Sequence, residues 1–264
     1  TTNNSCKGDS SEFVNTSTIP TGFTPTYNWS FGDGNSSIKE SPKYLYGSIG
    51  NYQVSLTASL SNGCSSTENF NLGVYSKPQP SFSVNNGCDG DSIAFIDGSV
   101  IQLDTISNYS WQFGDGKTSS KTNPKNLYNT DGSYNVKLIL TSIKGCIDST
   151  DKSVTVYEKP TAAFSVNTVC ESDSNEFTNT SSISTGSITG YDWKFGDGFS
   201  QTKKSPSHKY NQSGSYGSKL IVTSNNGCID SIAKTAVVYA SPDVDFDVSN
   251  ICFGDFFSPK NNTT

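Results

Sequence analysis

Apolar and polar residues alternate in short runs along this chain, and turn-forming residues separate the runs. Between residues 81 and 157 the runs read SFSV (81–84), SIAFID (92–97), YSWQF (109–113) and YNVKLIL (134–140). In the last of these Tyr134, Val136, Leu138 and Leu140 fall on one face, the two-residue period of a strand that buries one side. The polar KTSSK after FGDG, the short NLY before NTDGSY and the closing KSVTVY add three more. This stretch therefore predicts seven strands, A, B, C, C′, E, F and G, with Gly, Asn, Asp and Ser in the turns between them.

Seven such strands describe an all-β, immunoglobulin-like sandwich. Trp111 falls mid-strand in C, where these folds bury a Trp, and Tyr134 opens strand F after DGS, the place of a tyrosine corner. The pattern is then copied. Cysteines at 6, 64, 88, 146, 170, 228 and 252 are spaced alternately 58 and 24 residues apart, a period of 82. Trp29, Trp111 and Trp193 keep that period, as do Tyr52, Tyr134 and Tyr216, and Pro42, Pro124 and Pro206. The chain divides into repeat 1 (1–76, lacking strand A), repeat 2 (77–158), repeat 3 (159–240) and the start of a fourth (241–264). Linkers of about three residues, SKP (76–78), EKP (158–160) and ASP (240–242), join them. Tandem seven-stranded sandwiches on such linkers are expected to be arranged as a rod, an open-ended array cut from something larger.

Composition narrows the function classes. Of 264 residues only 32% are hydrophobic, which suits several small cores better than one large one. The net charge is -6, with no Arg, no Met and no run of Lys, so nucleic acid is excluded as a partner. No stretch approaches the roughly 20 apolar residues that would insert in a membrane, and TTNNSCKGDS is not a signal peptide.

The string W-x-F-G-D-G, then S-P or N-P, then a Tyr, then G-x-Y-x-V-x-L as in GNYQVSL and GSYNVKL, resembles the PKD domain, the polycystic-kidney-disease type of immunoglobulin-like module. The resemblance covers the whole chain. Two departures stand out. The residue after Trp, often Asp in that family, is Ser30, Gln112 or Lys194, and GSYGSKL places Gly217 and Lys219 in the third strand F. The cysteine-bearing form is similar to the long arrays of secreted proteins and gliding adhesins of Bacteroidota.

The FGDG string admits two readings. The resemblance implies one, calcium ligands at Asp33, Asp115 and Asp197, but calcium takes six to eight oxygens and FGDGKTSSK offers lysines instead. The other, favoured, makes Asp-Gly the source of positive φ in a tight C–C′ turn, with the carboxylate accepting backbone N–H groups and no cofactor. Catalysis has no support. The lone His208, in PSHKY, is matched near the same place by Lys43 and Lys125, and neither GxSxG nor HExxH occurs.

Regular cysteine pairs in such a chain indicate an oxidising, extracellular setting, and the resemblance implies the cell surface. If Cys88 lies in the A–B turn and Cys146 opens strand G, a strand's length of about 20 to 27 Å separates them, beyond the roughly 7 Å a disulfide spans. Pairing between neighbouring repeats, Cys6 with Cys146 and Cys88 with Cys228, is favoured. A bent strand A would instead permit pairing within a repeat. A further pattern, Asp then Ser or Thr, at Ser92, Thr105, Ser149 and Ser231, resembles a bacterial O-glycosylation acceptor and also fits plain turn chemistry.

The reading is structural. A non-catalytic stalk segment of a large secreted surface adhesin, in attachment or gliding, is expected, with neighbouring repeats as its partners and the distal ligand unknown. The alternative is a set of accessory modules of a secreted polysaccharide hydrolase or protease.

Overall fold

The computed structural model describes residues 4–247, 253, 254, 256 and 259–263. Repeat 1 comprises β1 (Asn4–Cys6), β2 (Ser11–Glu12), β3 (Pro25–Ser30), β4 (Ser36–Ser37), β5 (Lys43–Tyr44), β6 (Gly50–Leu60) and β7 (Ser65–Tyr75). Repeat 2 comprises β8 (Phe82–Val84), β9 (Gly87–Cys88), β10 (Ser92–Asp97), β11 (Ile106–Gln112), β12 (Thr118–Ser119), β13 (Lys125–Leu127), β14 (Gly132–Ser142) and β15 (Ile147–Tyr157). Repeat 3 comprises β16 (Phe164–Val166), β17 (Val169–Cys170), β18 (Asn175–Asn179), β19 (Ile188–Lys194), β20 (Ser200–Gln201), β21 (Ser207–His208), β22 (Gly214–Ser224) and β23 (Ile229–Tyr239). A hairpin of β24 (Phe246–Asp247) and β25 (Lys260–Asn261) follows.

Each repeat is an all-β, immunoglobulin-like unit. In repeat 2 one sheet runs β13-β10-β8 and the other β12-β11-β14-β15-β9, which are strands E-B-A and C′-C-F-G plus an added edge. That edge was not expected as a strand. The first strand is split: β8 pairs antiparallel with β10, and three residues later β9 pairs parallel with the end of β15, setting Cys88 opposite Tyr157. Cys88 is thus on a strand, which corrects its placement in the A–B turn. Two residues are too few to carry an alternation, so no period marks them. In repeat 1 the matching pair is β1 beside β7, with Cys6 opposite Tyr75.

The alternation predicted from YNVKLIL holds, with Val136, Leu138 and Leu140 fully buried. Trp111, opposite Leu138 in the sheet, is fully buried as well, and its Nε1 donates to the Lys121 carbonyl at 2.9 Å. Trp193 is equally buried and bonds Lys203, and Trp29 bonds Glu40. A second buried polar ring recurs: the hydroxyls of Tyr46, Tyr128 and Tyr210 donate to the carbonyls of Phe31, Phe113 and Phe195. Burial pushes the Tyr128 phenol up to about 12. At the head of strand F, Tyr52 Oη donates to the Ser48 carbonyl and Tyr216 Oη to that of Gln212, each four residues upstream, the geometry of a tyrosine corner. Tyr134 lies beside Tyr128, ring centroids 4.3 Å apart.

By contacts the chain forms two compact units. One holds Thr1–Asn86, Asp91–Tyr128 and Ser133–Thr155; the other holds Gly87–Gly90, Asn129–Gly132 and Val156–Thr264.

Candidate functional site

The FGDG loops turn the chain from C to C′. Phe31, Phe113 and Phe195 close each loop by donating N–H to the carbonyls of Asn35, Lys117 and Phe199. The positive φ angles lie at the two glycines, +78° and +93° at Gly32 and Gly34, and not at the Asp between them. Of the Asp-Gly pair only the glycine therefore supplies positive φ, and the glycine before the Asp supplies the other. The first glycine is also pressed against strand F. A Cβ on Gly32 would lie 2.5 Å from the Gln53 carbonyl oxygen, and one on Gly114 or Gly196 would lie 2.8 Å from that of Asn135 or Gly217.

The carboxylates close a ring of local hydrogen bonds. Oδ1 of Asp33, Asp115 and Asp197 accepts the N–H two residues on, at 3.1, 3.0 and 3.1 Å. Oδ2 accepts from a side chain eleven residues on: Tyr44 Oη at 2.6 Å, Asn126 Nδ2 at 2.9 Å and His208 Nε2 at 2.6 Å. His208 therefore corresponds to Tyr44 and Asn126, not to Lys43 and Lys125, because neighbours along a strand face opposite ways. Lys43 instead meets Glu12 on the exposed side. Burial raises all three carboxyls, but these donors outweigh it and hold each below its usual range. Both oxygens of each carboxylate are engaged, and among the described residues no group of three or more His, Cys, Asp or Glu is placed to hold a metal ion.

The other recurrent chemistry is at the cysteines. In the first unit, β1 runs parallel to the end of β7, and Lys7 N–H donates to the Tyr75 carbonyl. Cys6 there is bonded to Cys146, with Cα atoms 5.6 Å apart. Cys146 sits fully buried in a tight turn between β14 and β15, where Gly145 at φ +85° bends the chain and Ser142 Oγ accepts the Cys146 N–H. The Cys146 Sγ lies 3.9 Å from the Tyr75 carbonyl oxygen. Ser76 Oγ donates to the Gln102 carbonyl beside it.

The second unit contains the same construction. Cys88, on β9, is bonded to Cys228, with Cα atoms 5.7 Å apart, and Ser224 Oγ accepts the Cys228 N–H. Here the linker residue is Glu158, which accepts from Thr185 Oγ1 and from the N–H groups of Ser184 and Thr185. Those bonds hold its carboxyl at about 2.

Topology explains why the bonds join different repeats. Cys88 lies at the far end of β15 and Cys146 just before its start, and that strand is eleven residues long. At about 3.4 Å per residue the two are more than about 30 Å apart, far outside disulfide reach. Cys64 and Cys170 are exposed and carry free thiols. Cys252 lies outside the described residues.

The proposed acceptors Ser92, Thr105, Ser149 and Ser231 are all exposed. Asp148 and Asp104 each accept the N–H of the residue that follows, Ser149 and Thr105, while Asp230 caps the Ala162 N–H. Among the described residues no helix is long and apolar enough to cross a membrane.

The model of the PKD domain matches residues 1–74, 76–156 and 157–239, so it takes in the three repeats end to end. The chain belongs to the PKD domain family. Collagenase ColQ1 of Bacillus cereus (strain Q1) is 40% identical over 81 residues, 29% of this chain and 8% of the collagenase. Collagenase ColA of Clostridium perfringens is 37% identical over 75 residues, 25% of this chain and 7% of that protein. The pre-pro-metalloprotease PrtV of Vibrio cholerae is 42% identical over 60 residues, 23% of this chain and 6% of PrtV. The matched PKD segment is thus less than a tenth of each of these curated relatives. Among solved structures, the PKD1 domain of Vibrio anguillarum Epp is 28% identical, with a TM-score of 0.30 over 32% of this chain and 98% of that one.

Proposed function

We propose that this chain is a non-catalytic spacer of an extracellular protein, in which disulfides between successive PKD repeats resist bending and stretching. The observation that supports this reading most is the overlap of Cys6–Cys146 with Cys88–Cys228. Tension entering at Cys6 passes to Cys146, crosses repeat 2 to Cys88 and leaves at Cys228. Only the 58 residues between Cys88 and Cys146 can then be drawn out, about 200 Å of chain instead of about 780 Å without the bonds.

Two settings use such a spacer. The relatives are collagenases and a metalloprotease, which supports accessory modules standing beside a catalytic domain of a secreted hydrolase or protease. The unbroken register of 82 residues supports the second reading, the stalk of a surface adhesin in attachment or gliding. Hydrolase activity in the intact secreted product selects the first setting; loss of surface attachment on its deletion, with no such activity, selects the second.

Small-angle X-ray scattering with and without reductant tests the spacer itself. Reduction is expected to broaden the distance distribution as the joints loosen, with the β circular-dichroism signal retained. An unchanged distribution would contradict the role given to the disulfides.

A further inference from the structure

Strand β23 is paired along one side only over most of its length. Its sheet runs β17-β23-β22-β19-β20, and β22 pairs with it from Ile229 to Val238. On the other side β17 meets it at Val238 and Tyr239 alone, so among the described residues no strand lies there beside residues 229–237. The Tyr239 carbonyl accepts the Glu171 N–H across that outer side, while the Cys228 carbonyl accepts the Ser224 N–H on the inner side. Alternation then turns the N–H and C=O groups of Ile229, Ser231, Ala233, Thr235 and Val237 outward. The open edge belongs to the fold, since in repeat 2 β9 covers β15 only at Val156 and Tyr157.

An open edge takes up a strand that complements it, and β23 complements a second copy of itself. In an antiparallel register centred on Ile232, that residue meets Ile232 of the second copy, Ser231 meets Ala233, Asp230 meets Lys234 and Ile229 meets Thr235. The outward groups allow this register: Ser231 and Ala233 exchange main-chain hydrogen bonds, and the opposite charges fall at the closer, non-hydrogen-bonded positions. Asp230 Oδ2 accepts the Ala162 N–H, and Lys234 Nζ donates to the Phe164 carbonyl. Both keep capacity for a partner, because a carboxylate accepts on two oxygens and an ammonium donates three bonds.

The other repeats do not complement themselves in this way. Glu68 in β7 and Thr150 in β15 correspond to Ile232. The same register would set Glu68 against Glu68, a like-charge pair that opposes association. In β15 it keeps Asp148 against Lys152 but brings in Asp151 where β23 has Ala233.

We infer that the edge of β23 is a self-association site, at which two copies of this chain join antiparallel along residues 229–235 and two sheets become one. Such pairing is independent of what the disulfides do at the joints.

Sedimentation equilibrium of the full 264-residue chain, its free thiols capped by alkylation, tests the site. The average mass is expected to rise with concentration from one chain toward two. Ser231→Pro removes an outward N–H and leaves the pairing with β22 intact. By symmetry the dimer loses two hydrogen bonds, so association at least about tenfold weaker is expected. Because a proline can also disturb β23, a charge exchange forms the second arm. Asp230→Lys chains and Lys234→Asp chains are each expected to stay monomeric alone, since the register sets Lys against Lys or Asp against Asp, and to associate when mixed one to one. A native chain still monomeric at about 1 mM, a dimer that Ser231→Pro does not weaken, or a mixture no more associated than its components would overturn the inference.

Discussion

His208 Nε2 stands 2.6 Å from Asp197 Oδ2, with the imidazole stacked on Phe195 at 4.1 Å and 4° between planes. Burial works to raise the Asp197 carboxyl, but the donors His208 and Phe199 N–H and the His208 charge prevail and lower it. A depressed carboxylate contributes stability that is complete above its unfolded value, about 3.9, and is lost as pH falls through the folded value. The stability difference between the native chain and Asp197→Asn is therefore expected to shrink as pH falls below about 4. Urea melts from pH 5 to pH 2.5 measure it; a difference that grew over that range would contradict this account of the turn.

Exchanging the partner tests the same ring of bonds from the other side. His208→Asn copies Asn126 of repeat 2, which bonds Asp115 at 2.9 Å, and is expected to lie within about 1 kcal/mol of the native chain. His208→Ala leaves Asp197 Oδ2 without that donor and is expected to cost about 1–3 kcal/mol. Equal losses in the two variants would show that the ring stack, not the hydrogen bond, matters.

The two glycines of each loop are not equivalent. Gly114→Ala meets both a positive φ and the Asn135 carbonyl, while Gly116→Ala meets the φ alone, with nothing within 4 Å of its Cβ. Both are destabilising, Gly116→Ala by about 1 kcal/mol and Gly114→Ala by clearly more. Thermal melts of the two variants give the order directly.

Calcium is expected to leave the melting temperature unchanged. Asp33 and Asp115 are tied to Asn35 N–H and Tyr44 and to Lys117 N–H and Asn126, and among the described residues no group of three or more His, Cys, Asp or Glu supplies the six to eight oxygens that calcium takes. A rise of several degrees in millimolar calcium, reversed by chelator, would restore the metal reading of these loops.

What the sequence made legible depends on how each feature is written. Strand F announces itself because Val136, Leu138 and Leu140 face one core, and the buried Trp111 repeats without change of residue. The donor to the FGDG carboxylate does not, because it is Tyr44, Asn126 or His208, three residue types that share only a hydrogen-bond donor at one reach. The split first strand is equally silent: Gly87–Cys88 is two residues long and is held by a parallel partner 69 residues away, Tyr157 opposite Cys88.

Thiol reactivity follows from exposure. Cys64 and Cys170 are exposed and unbonded, so both are expected to alkylate rapidly in the native chain. Cys6, Cys88, Cys146 and Cys228 are expected to react only after reduction. Mass spectrometry of alkylated digests reads each position, and rapid native labelling at Cys146 would contradict its burial in the joint.

The most direct test of bonds between repeats is peptide mapping of the oxidised chain without reductant, using a protease that cuts between Cys64 and Cys88. Linked peptides joining Cys6 to Cys146 and Cys88 to Cys228 are expected. Peptides joining Cys6 to Cys64 or Cys88 to Cys146 would place the bonds within repeats and remove the basis for a covalently jointed spacer.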